Sequence, residues 1–206
     1  MRLLNATSLR LETFHEAATP AYAILSHTWG TDEVTFGEFE SLSTLHKSSQ
    51  TRARILQSKG YYKIKKCCAQ ALEDGLQYAW VDTCCINKRS SAELSEAINS
   101  MFNWYKQAHI CYAYLNDVKV EDAEFASFDR SYLQGARWFT RGWCLQELIA
   151  PKDIVFFARF WKRLGRKSDM TTALADITTI DESILVRTTI IYPSQCTALR
   201  PEPIHH

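Results

Sequence analysis

The 206-residue chain carries no excess charge of either sign: 24 Lys and Arg stand against 23 Asp and Glu, a formal net charge of +1. Without a basic stripe there is no electrostatic footprint for DNA or RNA, so nucleic-acid binding is disfavoured. No window approaches the roughly 18 apolar residues of a membrane-spanning helix. The longest apolar runs, such as Ile154 to Ala158, have strand length instead. The opening Met1-Arg2-Leu3-Leu4-Asn5 lacks the apolar stretch and cleavage site of a signal peptide. Neither G-x-G-x-x-G nor a Walker sequence occurs, which leaves a Rossmann dinucleotide fingerprint and a P-loop without support. The seven cysteines include the adjacent pairs Cys67-Cys68 and Cys84-Cys85, with Cys111, Cys144 and Cys196 alone, and none shows C-x2-C spacing. An odd count without that spacing suggests neither a zinc site nor a disulfide framework. Buried reduced thiols, no metal and a cytoplasmic location are therefore expected.

What is present is an ordinary globular composition, 46% hydrophobic and 23% charged, in a chain long enough for one domain with a real core. The first 20 residues alternate apolar and polar, as a short hairpin or edge strand does. Apolar runs at 21–26, 78–82, 110–115 and 154–157 read as buried strands. Between them a helical period starts at Tyr61, with Gly75 near its end. A second opens on the capping box Ser90 to Glu93 and carries the stripe Leu94, Ala97, Ile98, Met101, Phe102, Tyr105 and Ala108. A third runs from about Thr140 to Ala150 and stops at Pro151. Residues 41–53 and 83–89 read as loops, an acidic stretch at 116–134 as an insertion, and 168–177 as one modest helix before a weakly patterned tail. The final His205-His206, native or a tag remnant, carries no argument. Strands alternating with helices predict an α/β fold, a parallel sheet flanked by helices, with ligands beyond the carboxyl ends of the strands. Ser26 to Asp32, Asp82 to Lys88 and the run leading to Glu147 lie there.

The densest chemistry is in Arg137 to Leu148, which holds two Trp, two Arg and one Glu within 11 residues. On a continuous helix Trp143 and Glu147 share a face, and Leu145, Leu148 and Ile149 face the sheet. Glu147 then has two readings: it pairs with Arg141 or another basic group to satisfy a half-buried face, or its charge stabilises an oxocarbenium-like transition state beside a stacking indole. Ser26-His27-Thr28-Trp29-Gly30 is either a loop that holds phosphate or ribose, or a turn whose Trp29 plugs the core. Asp82 either caps the following turn or orients a ligand hydroxyl. Cys84 is a packed thiol, or a nucleophile if His27 lowers its pKa.

Tyr22 to Gly30, Trp80 to Ile86, Ser91 to Phe102 and Arg137 to Pro151 together resemble the fungal heterokaryon-incompatibility (HET) domain, four motifs in the family's order over roughly 20–160. Asn87, where an acidic residue is common, and Cys144, where Thr is common, are small departures. The resemblance implies a single HET domain over 1–206, with 161–206 as a C-terminal extension. It also implies a role in fungal non-self recognition and programmed cell death, with the domain at the N-terminus of a longer protein. HET domains are in turn similar to TIR domains. Tyr22 to Gly30 looks like the TIR first-strand motif, and Trp143-Cys144-Leu145-Gln146-Glu147-Leu148 looks like the W-C-x-x-E-L helix of TIR NAD hydrolases. That likeness implies a flavodoxin-like sheet, Glu147 as catalytic carboxylate and NAD+ or a related nucleotide as substrate, with no other cofactor. It places Ser26, His27, Trp29, Gly30, Asp82, Arg141 and Trp143 around the substrate. It further implies self-association, and an upstream recognition domain or protein as partner. A non-catalytic self-associating signalling module is the alternative.

Overall fold

The computed structural model describes residues 1–120 and 132–187. One seven-stranded sheet forms its centre, in the order β2-β1-β4-β3-β5-β6-β7. Strands β1 (Arg2–Asn5) and β2 (Arg10–Thr13) make the expected N-terminal hairpin, with Leu4 opposite Leu11. Strands β3 (Tyr22–His27), β4 (Tyr78–Trp80), β5 (Ile110–Leu115) and β6 (Ile154–Ala158) are mutually parallel where they pair. The sheet is nevertheless mixed: β1 pairs antiparallel with β4, and β7 (Lys162–Arg166) antiparallel with β6. The parallel sheet expected from the alternation of strands and helices is thus extended by antiparallel strands at both ends. Strand β7 has no apolar alternation to announce it, because it is a basic edge strand in which only Leu164 is buried.

Every residue of β3, β5 and β6 is buried, as strands covered on both faces require. Side chains alternate along each strand, so Ile24 and Ser26 point to one face and Leu25 and His27 to the other. Trp80, in register with Ile24, packs on Trp104 and Tyr105 at ring distances of 5.6 and 6.2 Å. Helix α5 (Ser91–Gln107) therefore covers the Ser26 face. The crossover from β3 to β4 takes the other face. It contains α1 (Phe36–Ser41), closed by a Thr35/Glu38 capping box, then α2 (Gln50–Gln57) and α3 (Lys59–Glu73). Helix α2 starts inside the stretch expected to be a loop; its polar residues hide it, and Ser49 caps it. A single turn, α4 (Asp82–Cys85), stands where 83–89 reads as loop. Ile98 and Phe102 are exposed, so the apolar stripe of α5 is wider than the face it buries.

After β5 come a 3-10 turn at Arg137–Thr140 and the short α6 (Cys144–Ile149), separated by a break at 141–143 instead of the single helix expected over 140–150. Chain 159–187 adds 3-10 turns at Arg159–Trp161 and Lys167–Met170, with α7 (Thr171–Thr178) and α8 (Glu182–Arg187). Most of the insertion expected before the Glu147 helix, Cys196 and the tail from 188 lie outside the described residues. Six free cysteines, Cys67, Cys68, Cys84, Cys85, Cys111 and Cys144, are all buried. Among the described residues no helix is long and apolar enough to cross a membrane.

One glycine fixes the loop after β3. A Cβ on Gly60 would lie 2.6 Å from the Asp32 carbonyl oxygen and the Val34 nitrogen, and 2.8 Å from the Glu33 Cα. All three are backbone atoms that cannot swing aside, and the Gly60 amide donates to Asp32 O at 2.9 Å. Gly60→Ala is therefore expected to force the loop off α3 at a cost of about 2–3 kcal/mol. Thermal unfolding should show a fall in Tm of roughly 5–10 °C; an unchanged Tm would mean that the loop repacks freely.

Candidate functional site

The carboxyl end of β3 carries two polar clusters, one on each face. On the first face, the Trp138 indole Nε1 donates to Ser26 Oγ at 2.6 Å, and Ser26 Oγ donates to Glu147 Oε2 at 2.7 Å. Arg141 completes the set as a bidentate donor, Nη1 to Oε2 at 2.9 Å and Nη2 to Oε1 at 3.2 Å. Ser26 and Trp138 are fully buried and Glu147 is 5% exposed. A carboxylate at that depth is tolerated only when its oxygens are paired, which these three hydrogen bonds achieve. Its charge is felt nearby: burial first, and Glu147 second, push the Tyr105 hydroxyl and the Cys111 and Cys144 thiols above their ordinary values.

Local sequence explains how Glu147 arrives there. Asp117 Oδ2 accepts the Arg137 amide at 2.8 Å and anchors the 3-10 turn, and Trp138 packs edge-on against Phe139 and Phe156. Arg141, Gly142 and Trp143 then turn the chain into α6, which buries Cys144, Glu147 and Leu148. That face is centred about 90° around the helix from Trp143, at 3.6 residues per turn. Trp143 consequently stands 49% exposed, and Leu145, expected to face the sheet, is exposed too. Trp143 meets Glu147 through the backbone, its carbonyl accepting the Glu147 amide at 3.2 Å. The buried indole of this cluster is Trp138, the other Trp of the same segment.

On the opposite face, the Lys63 ammonium donates to His27 Nδ1 at 2.9 Å and pairs with Glu33, whose Oε1 also accepts the Gly30 amide at 2.7 Å. His27 Nδ1 can accept only if it bears no proton, so Nε2 carries the hydrogen and donates to Asp82 Oδ1 at 2.9 Å. Trp29 Nε1 donates to Asp82 Oδ2 at 2.8 Å, and the Lys88 ammonium lies 3.5 Å from the Trp29 ring centre. Burial alone would raise the Asp82 carboxyl; the hydrogen bond from His27, the charge of Lys88 and the hydrogen bond from the Trp29 indole outweigh it and hold the carboxyl below its ordinary value. The turn reading of Trp29 as a core plug does not hold, since its ring is half exposed. Asp82, by contrast, ties the loop after β3 to the start of α4.

Ser26, Arg141 and Glu147 are thus brought together, as are His27, Trp29, Gly30 and Asp82, and β3 itself separates the two groups. Lys63 and Trp138 also belong to these clusters: nothing in the sequence marks Lys63, and the dense segment that contains Trp138 does not show which of its two indoles is the buried one. The nucleophile reading of Cys84 is corrected. The thiol is fully buried, and burial, reinforced by Cys85, pushes it well above its ordinary value, so His27 supplies no activation. Among the described residues no group of three or more His, Cys, Asp or Glu is placed to hold a metal ion.

Residues 22–134, from β3 past β5, match the family model described as Heterokaryon incompatibility protein (HET). The chain belongs to the HET family. This HET domain is also similar to the vegetative incompatibility protein HET-E-1 of Podospora anserina, 47% identical over 164 residues, which is 78% of this chain. It spans only 11% of that protein's length. No solved structure matches the HET domain. The stretch matched by the family model takes in Ser26, His27, Trp29, Lys63 and Asp82, while Arg141 and Glu147 lie beyond it.

Proposed function

We propose that this HET domain acts in fungal non-self recognition leading to cell death, in the cytoplasm, and that it does so by cleaving the nicotinamide N-glycosidic bond of NAD+ or a related nucleotide. The observation that carries the reading is Glu147: a buried carboxylate at the carboxyl end of a central strand, held by Ser26 and Arg141. Its sequence setting looks like the W-C-x-x-E-L helix of TIR NAD hydrolases. Two further features support it. The parallel strands run β4-β3-β5-β6, the order of the first four strands in flavodoxin-like sheets. The vegetative incompatibility relative supplies the biological setting.

In this reading the C1′–N bond breaks with both electrons leaving on nicotinamide, which departs neutral. Glu147 stabilises the positive charge left on the ribose, and water adds at C1′ and loses a proton. Arg141 now holds both carboxylate oxygens, so substrate entry requires it to swing from Glu147 toward the ligand. Self-association, or an upstream recognition domain or protein, would supply that trigger. Ser26 keeps the carboxylate oriented and Trp143 is assigned to the wall beside it; His27, Trp29, Gly30 and Asp82, on the other side of β3, are reached only by a part of the ligand that extends over the carboxyl end of that strand. Purified protein incubated with NAD+ under assembling conditions should release nicotinamide, and Glu147→Gln should release none. Equal turnover by both proteins, or none by either, would sink the enzymatic reading.

A second reading rests on the same cluster. Glu147 is fully satisfied by Ser26 and Arg141, as a purely structural carboxylate would be. The domain would then signal by self-association alone, and cell killing would persist in a Glu147 variant that keeps its fold.

A further inference from the structure

Besides the Glu147 cluster, the sheet carries an open cleft at its carboxyl edge. The connection that follows β3 puts α3 on the His27 face, and α6, which follows β5 in the chain, lies on the Ser26 face. Between two neighbouring parallel strands whose connections part in this way, the loops diverge and a crevice opens, the usual ligand position in such sheets. Here the cleft holds about 520 Å³ and is walled by the 30–33 loop, the first turns of α3, the end of β5 and the turn after β6. That volume suits a nucleotide-sized ligand. Glu147 and Arg141 are not among its walls.

The lining chemistry is specific. Two acids are present, but both are committed within the wall: Asp32 Oδ2 accepts the Lys59 amide at 2.9 Å, and Glu33 accepts from Gly30 and pairs with Lys63. Lys59 and Arg159 add two cations to the lining. The turn after β6 adds an aromatic surface. Phe160 and Trp161 are consecutive non-glycine residues with φ of 61° and 65°. Such residues cost about 1–3 kcal/mol each unless their surroundings hold them. Trp161 is held, stacked on Phe157 at 4.9 Å and close to Tyr114 at 5.1 Å. Phe160 is the unexplained partner, lining the cleft while 77% exposed, where its ring adds nothing to the core.

We propose that this cleft is a second ligand site, for a molecule that joins a planar aromatic ring to phosphate, with Phe160 as the stacking surface and Lys59 and Arg159 as the phosphate anchors. It lies on the opposite face from Glu147 and stands whether or not Glu147 cleaves NAD+.

The test titrates the purified domain with ADP, adenosine and tripolyphosphate by calorimetry. The Lys59→Ala/Arg159→Ala and Phe160→Ala variants change largely surface side chains, and their melting temperatures serve as folding controls. ADP is expected to bind more tightly than adenosine or tripolyphosphate. Its affinity should fall about tenfold or more in the double variant and by roughly fivefold or more in Phe160→Ala, the range of a lost stacking contact. Absence of ADP binding at millimolar concentration would overturn the proposal. So would ADP affinity that is undiminished in folded forms of both variants.

Discussion

Glu147→Gln is expected to lower the stability of the domain by about 2–4 kcal/mol, measured by urea unfolding in reducing buffer. Breaking a buried ion pair typically costs 3–5 kcal/mol because one charge is left uncompensated. The lower figure follows from Arg141, whose side chain is 23% exposed and recovers some hydration. Arg141→Met should cost more, since it strands the deeper partner: the Glu147 side chain is 6% exposed and would keep only Ser26. The double variant Glu147→Gln/Arg141→Met removes both charges and should regain most of the loss, a coupling of about 2–3 kcal/mol. Single variants that each cost under about 1 kcal/mol and simply add would refute the ion pair as a structural element. Nicotinamide release then separates the two roles of Glu147. If the carboxylate is catalytic, the double variant is folded but inactive. If it is only structural, killing returns with stability.

The same segment illustrates what the sequence conveys and what it hides. Strands β3, β5 and β6 are legible because burial on both faces leaves apolar or small residues along them, His27 at the end of β3 excepted. The hairpin is legible from alternation. Strand β7, Lys-Arg-Leu-Gly-Arg, reads as surface because an edge strand buries one face, and here only Leu164 meets the core. Helix α2 is hidden in the same way, since Ile55 is its one buried residue. Around Glu147, spacing alone places the carboxylate beside Trp143 on a helix that begins near 140. The break at 141–143 shifts the phase, so Glu147 turns inward with Cys144 and Leu148, Leu145 turns outward, and Trp138 provides the indole. No periodicity within one segment could announce the Ser26–Glu147 contact, which joins residues 121 positions apart. The motif order identified the family; the partner of each charge had to come from the fold. Lys63 shows this most plainly, as a lysine on an amphipathic helix that is buried because His27 and Glu33 receive it.

A second large effect is expected at alkaline pH, where the domain should unfold near pH 10. Four deeply buried thiols, Cys67, Cys68, Cys84 and Cys111, are raised above the ordinary cysteine value chiefly by burial, Cys68 to about 12. In the unfolded chain they titrate near 8.5. Above that pH the unfolded state releases protons that the folded state keeps, so stability falls as pH rises. By pH 10 each thiol held neutral costs about 2 kcal/mol, on the order of 8 kcal/mol for the four. Lys167 acts with the opposite sign. Burial beneath the carbonyls of Leu148 and Pro151 lowers it to about 8, so between 8 and about 10.4 the unfolded chain binds the extra proton and stability rises with pH. That gain is at most about 3 kcal/mol, and the thiols win. The net loss is comparable to the whole stability of an ordinary domain, about 5–15 kcal/mol. Urea midpoints measured from pH 8 to 10 should therefore fall with a slope of roughly two to three protons released per molecule unfolded. Cys67→Ala and Cys111→Ala should each remove close to one proton from that slope. A slope of one or less, unchanged by either substitution, would mean that the thiols are not what limits the fold at high pH.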